Sequence, residues 1–299
     1  MGIKQPKSNH REPIPDDIPI EDQGYFKPES LIRQIHREAV VLLGGGRAIL
    51  LQLAHPFVAA GVDDYSNFKS NILQRLYRTI LFMHNLVFQD RQTAREALKH
   101  FHAMHKRIRG RLGHRSGQLS PDTTYSGVDP RAKLWVYATF VDTNLTTYQK
   151  FVKPLSQVER QQYYSDSLVL ADLMEIPEEI LPQTYTEFQE YMKTMFTGET
   201  LAVTNTAQNL ANAVLYPDVG LFPTLSAGLL RTVTAGLLPQ RFRCEYGLTW
   251  NSNQKLFVQG FSSSTRLLRP FVPSWIWQSP LLGGKLTYLL LWGTEKPGG

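Results

Sequence analysis

All eight histidines of the chain lie at or before His114, and three of them, His100, His102 and His105, fall in one stretch from Asp90 to Arg109. That stretch has a capping residue, Asp90, ahead of an amphipathic pattern, and so reads as a helix. On a 3.6-residue period Arg95, Lys99, His102, Lys106 and Arg109 share one face, while Leu98, Phe101, His105 and Ile108 share the opposite one. His105 is therefore expected to point inward among apolar side chains, His102 outward, and His100 between them. A neutral inward imidazole can offer one nitrogen lone pair to a metal ion. It can equally be a hydrogen-bonded core residue, which is the commoner outcome when spacing is all there is to argue from. In the neighbouring stretch, Arg75 and Thr79 stand at i and i+4 with Arg78 adjacent. This places a cation and a hydroxyl on one side of an apolar helix; a surface arginine pair with a threonine bonded to its own backbone satisfies the same pattern.

The elements that must position these residues are helical almost throughout. Leu31, Ile35, Ala39 and Leu42 recur at helical spacing, Gly44-Gly45-Gly46 interrupts, and a second apolar run follows from Ala48 to Ala60, with Pro56 expected to kink or end it. Helices are predicted over Asn71 to Phe88 and Arg91 to Arg109. A Gly-, Ser-, Thr- and Asp-rich loop is expected over Gly110 to Pro130, and a further helix over Arg131 to Lys153. Ser156 and Glu159 form a capping box that opens a helix running towards Glu175. Further helices are predicted over Gln183 to Phe196, Glu199 to Leu215, Pro223 to Leu237, Ser252 to Leu268 and Pro280 to Leu291. Alternating strand patterns are nearly absent, and no internal repeat is visible. The expected fold class is all-α: a flexible arm over 1–24, polar and Pro-containing, then one large helical domain over 25–299.

Hydrophobic residues at 42% and charged residues at 19% exclude a disordered chain and a disulfide scaffold, and the lone Cys244 cannot form an internal disulfide. No apolar stretch reaches the roughly 20 residues that span a bilayer, and the first residues lack the apolar centre of a signal peptide. A soluble, cytoplasmic protein is expected, with peripheral membrane contact allowed. The net charge of +6 favours acidic partners: nucleic acid, anionic headgroups or the carboxylates of a cofactor. The triple glycine does not follow a predicted strand, so close helix packing fits it better than a phosphate loop.

Four motifs carry a resemblance. The run Gly44-Gly45-Gly46-Arg47-Ala48, continuing through Leu50-Leu51-Gln52-Leu53-Ala54-His55-Pro56, resembles the signature opening of the family of MpaB-type oxygenases and bacterial latex clearing proteins. Arg75-Leu76-Tyr77-Arg78-Thr79 follows in the family's order, then His105 with Ile108-Arg109-Gly110, then Asp129-Pro130 and Leu134-Trp135-Val136-Tyr137-Ala138-Thr139 running to Asp142. The resemblance implies a b-type haem between helices, the His105 position as its proximal ligand, and the Arg75 and Thr79 positions on the distal side. There Arg75 would stabilise negative charge developing on dioxygen and Thr79 would orient it. Two positions depart from the family. Latex clearing proteins have a lysine, able to close the iron's sixth position, where this chain has Arg78, and an arginine does not ligate. Tyr137 stands where many relatives have histidine.

What the resemblance implies is a haem b oxygenase that uses dioxygen on a hydrophobic small molecule or polymer, isoprenoids included, by oxidative cleavage of a carbon–carbon double bond. A haem-dependent oxidase or peroxidase acting on another small metabolite is the second reading, and a non-catalytic haem carrier or sensor the third. The basic cluster Lys106, Arg107, Arg109, Arg111 and Arg115 is a candidate for haem propionates or lipid headgroups, with a solvated surface as its default. It lacks a nucleic-acid-binding motif, so no nucleic-acid partner is expected. His55 is read as structural or pocket-lining, and Asp63 and Asp64 as solvated acids or a base near the distal side.

Overall fold

The computed structural model describes residues 23–65, 72–216, 224–273 and 277–278. Most of the expected arm over 1–24 and the helix expected over Pro280 to Leu291 fall outside them. The chain is all-α, with twelve α-helices and one two-stranded sheet among the described residues.

The long central helix is α6, Pro130–Phe151. Asp129 caps it by accepting from the Ala132 N–H at 2.8 Å, and Pro130 opens it where a missing N–H costs nothing. Buried residues such as Ala132, Trp135, Tyr137, Thr139, Val141 and Tyr148 surround α6, so it is covered all round. Its coverings are the 3-10 turn Ala39–Gly44, α2 (Gly45–Leu53), α7 (Gln157–Leu173) and α12 (Ser252–Leu268). The capping box at Ser156 and Glu159 opens α7 as expected.

The triple glycine does not simply break the chain. Gly44 closes the 3-10 turn, and Gly45 and Gly46 begin α2. A Cβ at Gly44 would lie 2.5 Å from Thr147 Oγ1 and 2.6 Å from Thr143 Cγ2 on α6. At Gly46 it would lie 2.1 Å from Thr234 Oγ1 on α10, Thr224–Leu237. These glycines let three helices meet backbone to side chain, and Arg47 locks the junction. Its guanidinium, 3% exposed, pairs with Asp142 at 2.5 Å and donates to Thr143 Oγ1 at 2.6 Å and to the Leu237 carbonyl at 2.9 Å. Gly46→Ala should lower stability by about 2 kcal/mol, the usual cost of forcing a methyl into a filled core. Gly46→Ala combined with Thr234→Ala should recover most of it, as read by urea denaturation.

Pro56 behaves as expected: α2 ends at Leu53, α3 (Pro56–Tyr65) starts on the proline, and the chain bends by 103° between them. No single helix among the described residues is long and apolar enough to cross a membrane.

Two expectations need correction. The segment Gly110 to Pro130 is not all loop: β1 (Arg109–Arg111) pairs antiparallel with β2 (Thr124–Ser126), Gly110 opposite Tyr125. Three-residue strands leave no readable alternation, and Gly110 is needed because a Cβ there would meet the Tyr125 ring at 2.6 Å or less. The helix expected over Glu199 to Leu215 starts only at Asn205, where the Thr204 hydroxyl caps it by accepting from the Ala207 N–H at 3.2 Å, and a short helix, α11 (Gln240–Glu245), follows Pro239. The remaining helices are α1 (Leu31–His36), α4 (Ile72–Phe88), α5 (Arg91–Arg107), α8 (Tyr185–Thr197) and α9 (Asn205–Leu215).

Candidate active site

α4 and α5 form an antiparallel-type neighbour pair linked by two residues, and they carry the residues singled out by spacing. The Asp90 carboxylate fixes the start of α5, accepting from the Thr93 N–H at 2.8 Å and the Thr93 hydroxyl at 2.8 Å. Phe82 of α4 stacks on Phe101 of α5 at 4.8 Å between centroids, and the His105 ring lies 4.0 Å from Phe101. The C-terminal end of α5 is held by the hairpin. The Gly127 N–H donates to the Ile108 carbonyl at 2.9 Å, and a Cβ at Gly127 would meet the His105 carbonyl at 2.6 Å.

His105 is half-buried. Its Nδ1 donates to the Phe101 carbonyl, one turn back on its own helix, at 2.8 Å. Because a carbonyl only accepts, Nδ1 carries the proton and Nε2 keeps the lone pair. Burial pushes its pKa below the ordinary histidine range, the Phe101 bond pulls it back partway, and the charges of Lys133, Arg75 and His102 lower it further. The neutral, ligand-competent imidazole is thus the favoured form near neutrality.

Arg75, on α4, is the cation of that helix whose charge reaches His105. Its side chain is open to water, yet surrounding protein lowers its pKa by desolvation. Thr79 is half-buried, and its hydroxyl donates to the Arg75 carbonyl at 3.1 Å, so it presents lone pairs to any ligand. Arg78 and Arg109 are both exposed; Arg109 is a strand residue whose carbonyl accepts from the Tyr65 hydroxyl at 2.6 Å.

His102 is not on a solvated face. Its Nε2 donates to the Leu173 carbonyl at 3.2 Å and its Nδ1 lies 3.5 Å from the Glu175 carboxylate, because the end of α7 covers that side of α5. Helical periodicity shows which residues share a face, but not which helix will cover it. Glu175 itself takes a left-handed conformation, φ 56°, where glycine is usual at a helix end. Its carboxylate lies 3.6 Å from Nζ of Lys133, a side chain only 7% exposed. Lys133 is the site residue that spacing missed; the signal was a lysine amid the apolar run of α6. Among the described residues no three of His, Cys, Asp and Glu converge to hold a bare metal ion.

The other singled-out residues lie elsewhere. His55 is buried, its Nδ1 accepts from the Phe57 N–H at 3.3 Å, and burial lowers its pKa to about 4. Asp63 and Asp64 belong to α3 and not to a loop; Asp64 accepts from the Tyr125 hydroxyl and so helps to seat the hairpin. Tyr137 is buried and hydrogen-bonded to Ser167 Oγ at 2.8 Å. It lines a small cavity with His36, Met83, Asn144 and Tyr163, room for about one water.

His36 gives this buried cluster a pH signature. The Asn144 amide donates to His36 Nε2 at 3.0 Å and the Tyr163 hydroxyl lies 3.1 Å from the same atom, so Nε2 is an acceptor and the ring is neutral. Burial lowers its pKa to about 4. The unfolded chain, at the ordinary value near 6.5, binds the proton first, so stability is full above about pH 6.5 and is lost as pH falls towards 4. His36→Gln should lose about 2 kcal/mol less than the unmodified protein between pH 7 and pH 5, measured by denaturant titration at both pH values.

The fold and these residues together define an α-helical domain whose candidate site is a helix-borne imidazole with a free lone pair, flanked by cations. Such a site is built on helix faces, with the hairpin closing the end of α5. The chain belongs to the ER-bound oxygenase mpaB/B'/rubber oxygenase catalytic-domain family, whose model matches residues 32–269. It is therefore an oxygenase catalytic domain. No curated protein and no solved structure matches the chain.

Proposed function

We propose that the chain is a haem b-dependent oxygenase that uses dioxygen on a hydrophobic substrate, isoprenoids first among them, with cleavage of a carbon–carbon double bond. One observation carries the reading: the half-buried His105, with Nδ1 committed to its own helix and Nε2 left with its lone pair. That is the arrangement a proximal ligand needs, since the bond at Nδ1 fixes tautomer and ring orientation. The family membership supports oxygenase chemistry.

His105 would hold the iron, and haem, when bound, supplies the chemistry that activates dioxygen. The rest falls to the chain. Arg75 would direct a planar fork of donors at negative charge developing beside it, its own charge partly desolvated by the surrounding protein. Thr79, its proton given to its own helix, accepts a hydrogen bond and so orients a donor. Lys133 is a cation felt at His105 and suits the haem carboxylates; Arg109 stands as a further cation beyond the end of α5. Arg78 has no lone pair to offer iron.

The absorption spectrum of the purified protein, with a haem extraction assay, tests the reading. About one non-covalent b-type haem per chain is expected, as a single ligating residue implies. Its resting state should be five-coordinate or water-bound, binding imidazole without displacing a protein amine. A six-coordinate low-spin spectrum with a second nitrogen from the chain would favour the carrier or sensor. Protein that neither contains haem nor binds it on reconstitution would overturn the proposal.

A further inference from the structure

Lys133 lies in the first turn of α6 and is only 7% exposed, yet among the described residues its ammonium makes no hydrogen bond. Its one ion-pair partner there is Glu175, whose carboxylate oxygen Oε2 stands 3.6 Å from Nζ, outside hydrogen-bonding reach. The same Oε2 lies 3.5 Å from His102 Nδ1, so one oxygen faces two nitrogens and bonds neither closely. Glu175 is itself 60% exposed, and water weakens the charge it presents. An ammonium carries three donors, and a buried charge normally has both a counter-ion and hydrogen bonds. At Lys133 the counter-ion is distant and the hydrogen bonds are missing.

The surroundings indicate what is missing. Every charge that reaches His105, those of Lys133, Arg75 and His102, lowers its pKa, so the imidazole sits among positive charge. An anion is therefore the fitting ligand for Lys133, and a side chain so covered meets a ligand inside the domain and not a partner's surface. A haem ligated at His105 Nε2 would bring two carboxylates at the rim of its ring. A desolvated ammonium gains more from one of them than the exposed Arg78 or Arg109 would, because water and salt screen those two.

Resting on the haem reading above, we infer that Lys133 anchors one of the haem's two carboxylates, and that Glu175 is the chain's own carboxylate which the haem's displaces from it. Glu175 gives way at small cost, since it stands just past the end of α7 and more than half of its side chain already meets water. The two anchors do different work. His105 holds the metal, but a single axial bond leaves the ring free to turn about it, and a second contact off that axis fixes the ring's rotation.

Titration of the full chain with ferric haem b and with its dimethyl ester, in one detergent-containing buffer and read by Soret absorbance, tests the inference, because the ester lacks the carboxylate charges. Haem b should bind at least about 10-fold more tightly than the ester, the yield of one charge-assisted hydrogen bond. Lys133→Met should bring the two within about 2-fold by weakening haem b alone, and Lys133→Arg should restore most of the preference. Glu175→Gln should keep the preference and bind haem b about 3-fold more tightly, since the competing carboxylate is gone. If the Lys133–Glu175 pair served only to hold α6 and α7, Lys133→Met and Glu175→Gln would instead weaken both porphyrins alike, which overturns the inference. Equal affinity of the unmodified chain for haem b and ester would overturn it while leaving His105 as the iron ligand. A preference that survives Lys133→Met would overturn it too, by giving the carboxylates to other cations. A chain that binds neither porphyrin would overturn the haem reading itself, and the inference with it.

Discussion

His105→Ala is expected to emerge from purification with most of its haem missing, while His102→Ala keeps a normal complement. The two residues lie on one helix three positions apart, so the comparison controls for the helix itself. His105 has Nδ1 bonded to the Phe101 carbonyl and Nε2 with its lone pair, whereas His102 spends Nε2 on the Leu173 carbonyl and turns Nδ1 towards Glu175. Only the first presents a nitrogen that can ligate without losing a tertiary contact. Haem content by pyridine haemochrome, beside circular dichroism to show the helices intact, reads the result. His105→Gly supplied with free imidazole should regain haem, because the missing atom is then returned without the chain. Equal haem in the alanine variants would refute the assignment of His105.

Arg75→Ala is expected to hold its haem and lose roughly 10²-fold or more in oxygen-dependent turnover, the usual loss when a placed donor to a developing charge is removed. Oxygen uptake on whichever isoprenoid is turned over measures it. Arg75→Lys should fall between, since an ammonium keeps the charge and loses the two-pronged geometry. Desolvation by the surrounding protein, which lowers the pKa of this guanidinium, also weakens the screening of its charge. A haem-free Arg75→Ala protein would instead make Arg75 an anchor of the cofactor, and unchanged turnover would remove it from the reaction.

Much of the architecture was legible because its signals are local. The capping aspartates, the Ser156–Glu159 box and the proline at the head of α3 each act within one turn of chain, and each starts a helix where the residue types require. His105 was legible for the same reason: its inward direction follows from its place on α5, whatever packs there. Lys133 and the covering of His102 were not. Both depend on the end of α7 meeting α5 and α6, contacts between residues dozens of positions apart that leave no periodic trace. The hairpin escaped notice because three-residue strands are shorter than any alternation that could mark them.

The sequence by itself therefore determined the class of fold, the starts of most helices, the inward side of α5 and, through four motifs in register, membership of an oxygenase family. Tertiary structure alone decided what several of those motif residues do. Gly44, Gly46, Arg47 and Asp142 turn out to join α2, α6 and α10, with the glycines leaving room for threonine side chains and the arginine filling a buried junction. Tertiary structure also decided which cations stand near His105. The physical reason is one of range: capping and periodicity are set by neighbours within a few residues, whereas burial, desolvation and charge proximity are set by what the rest of the chain brings alongside.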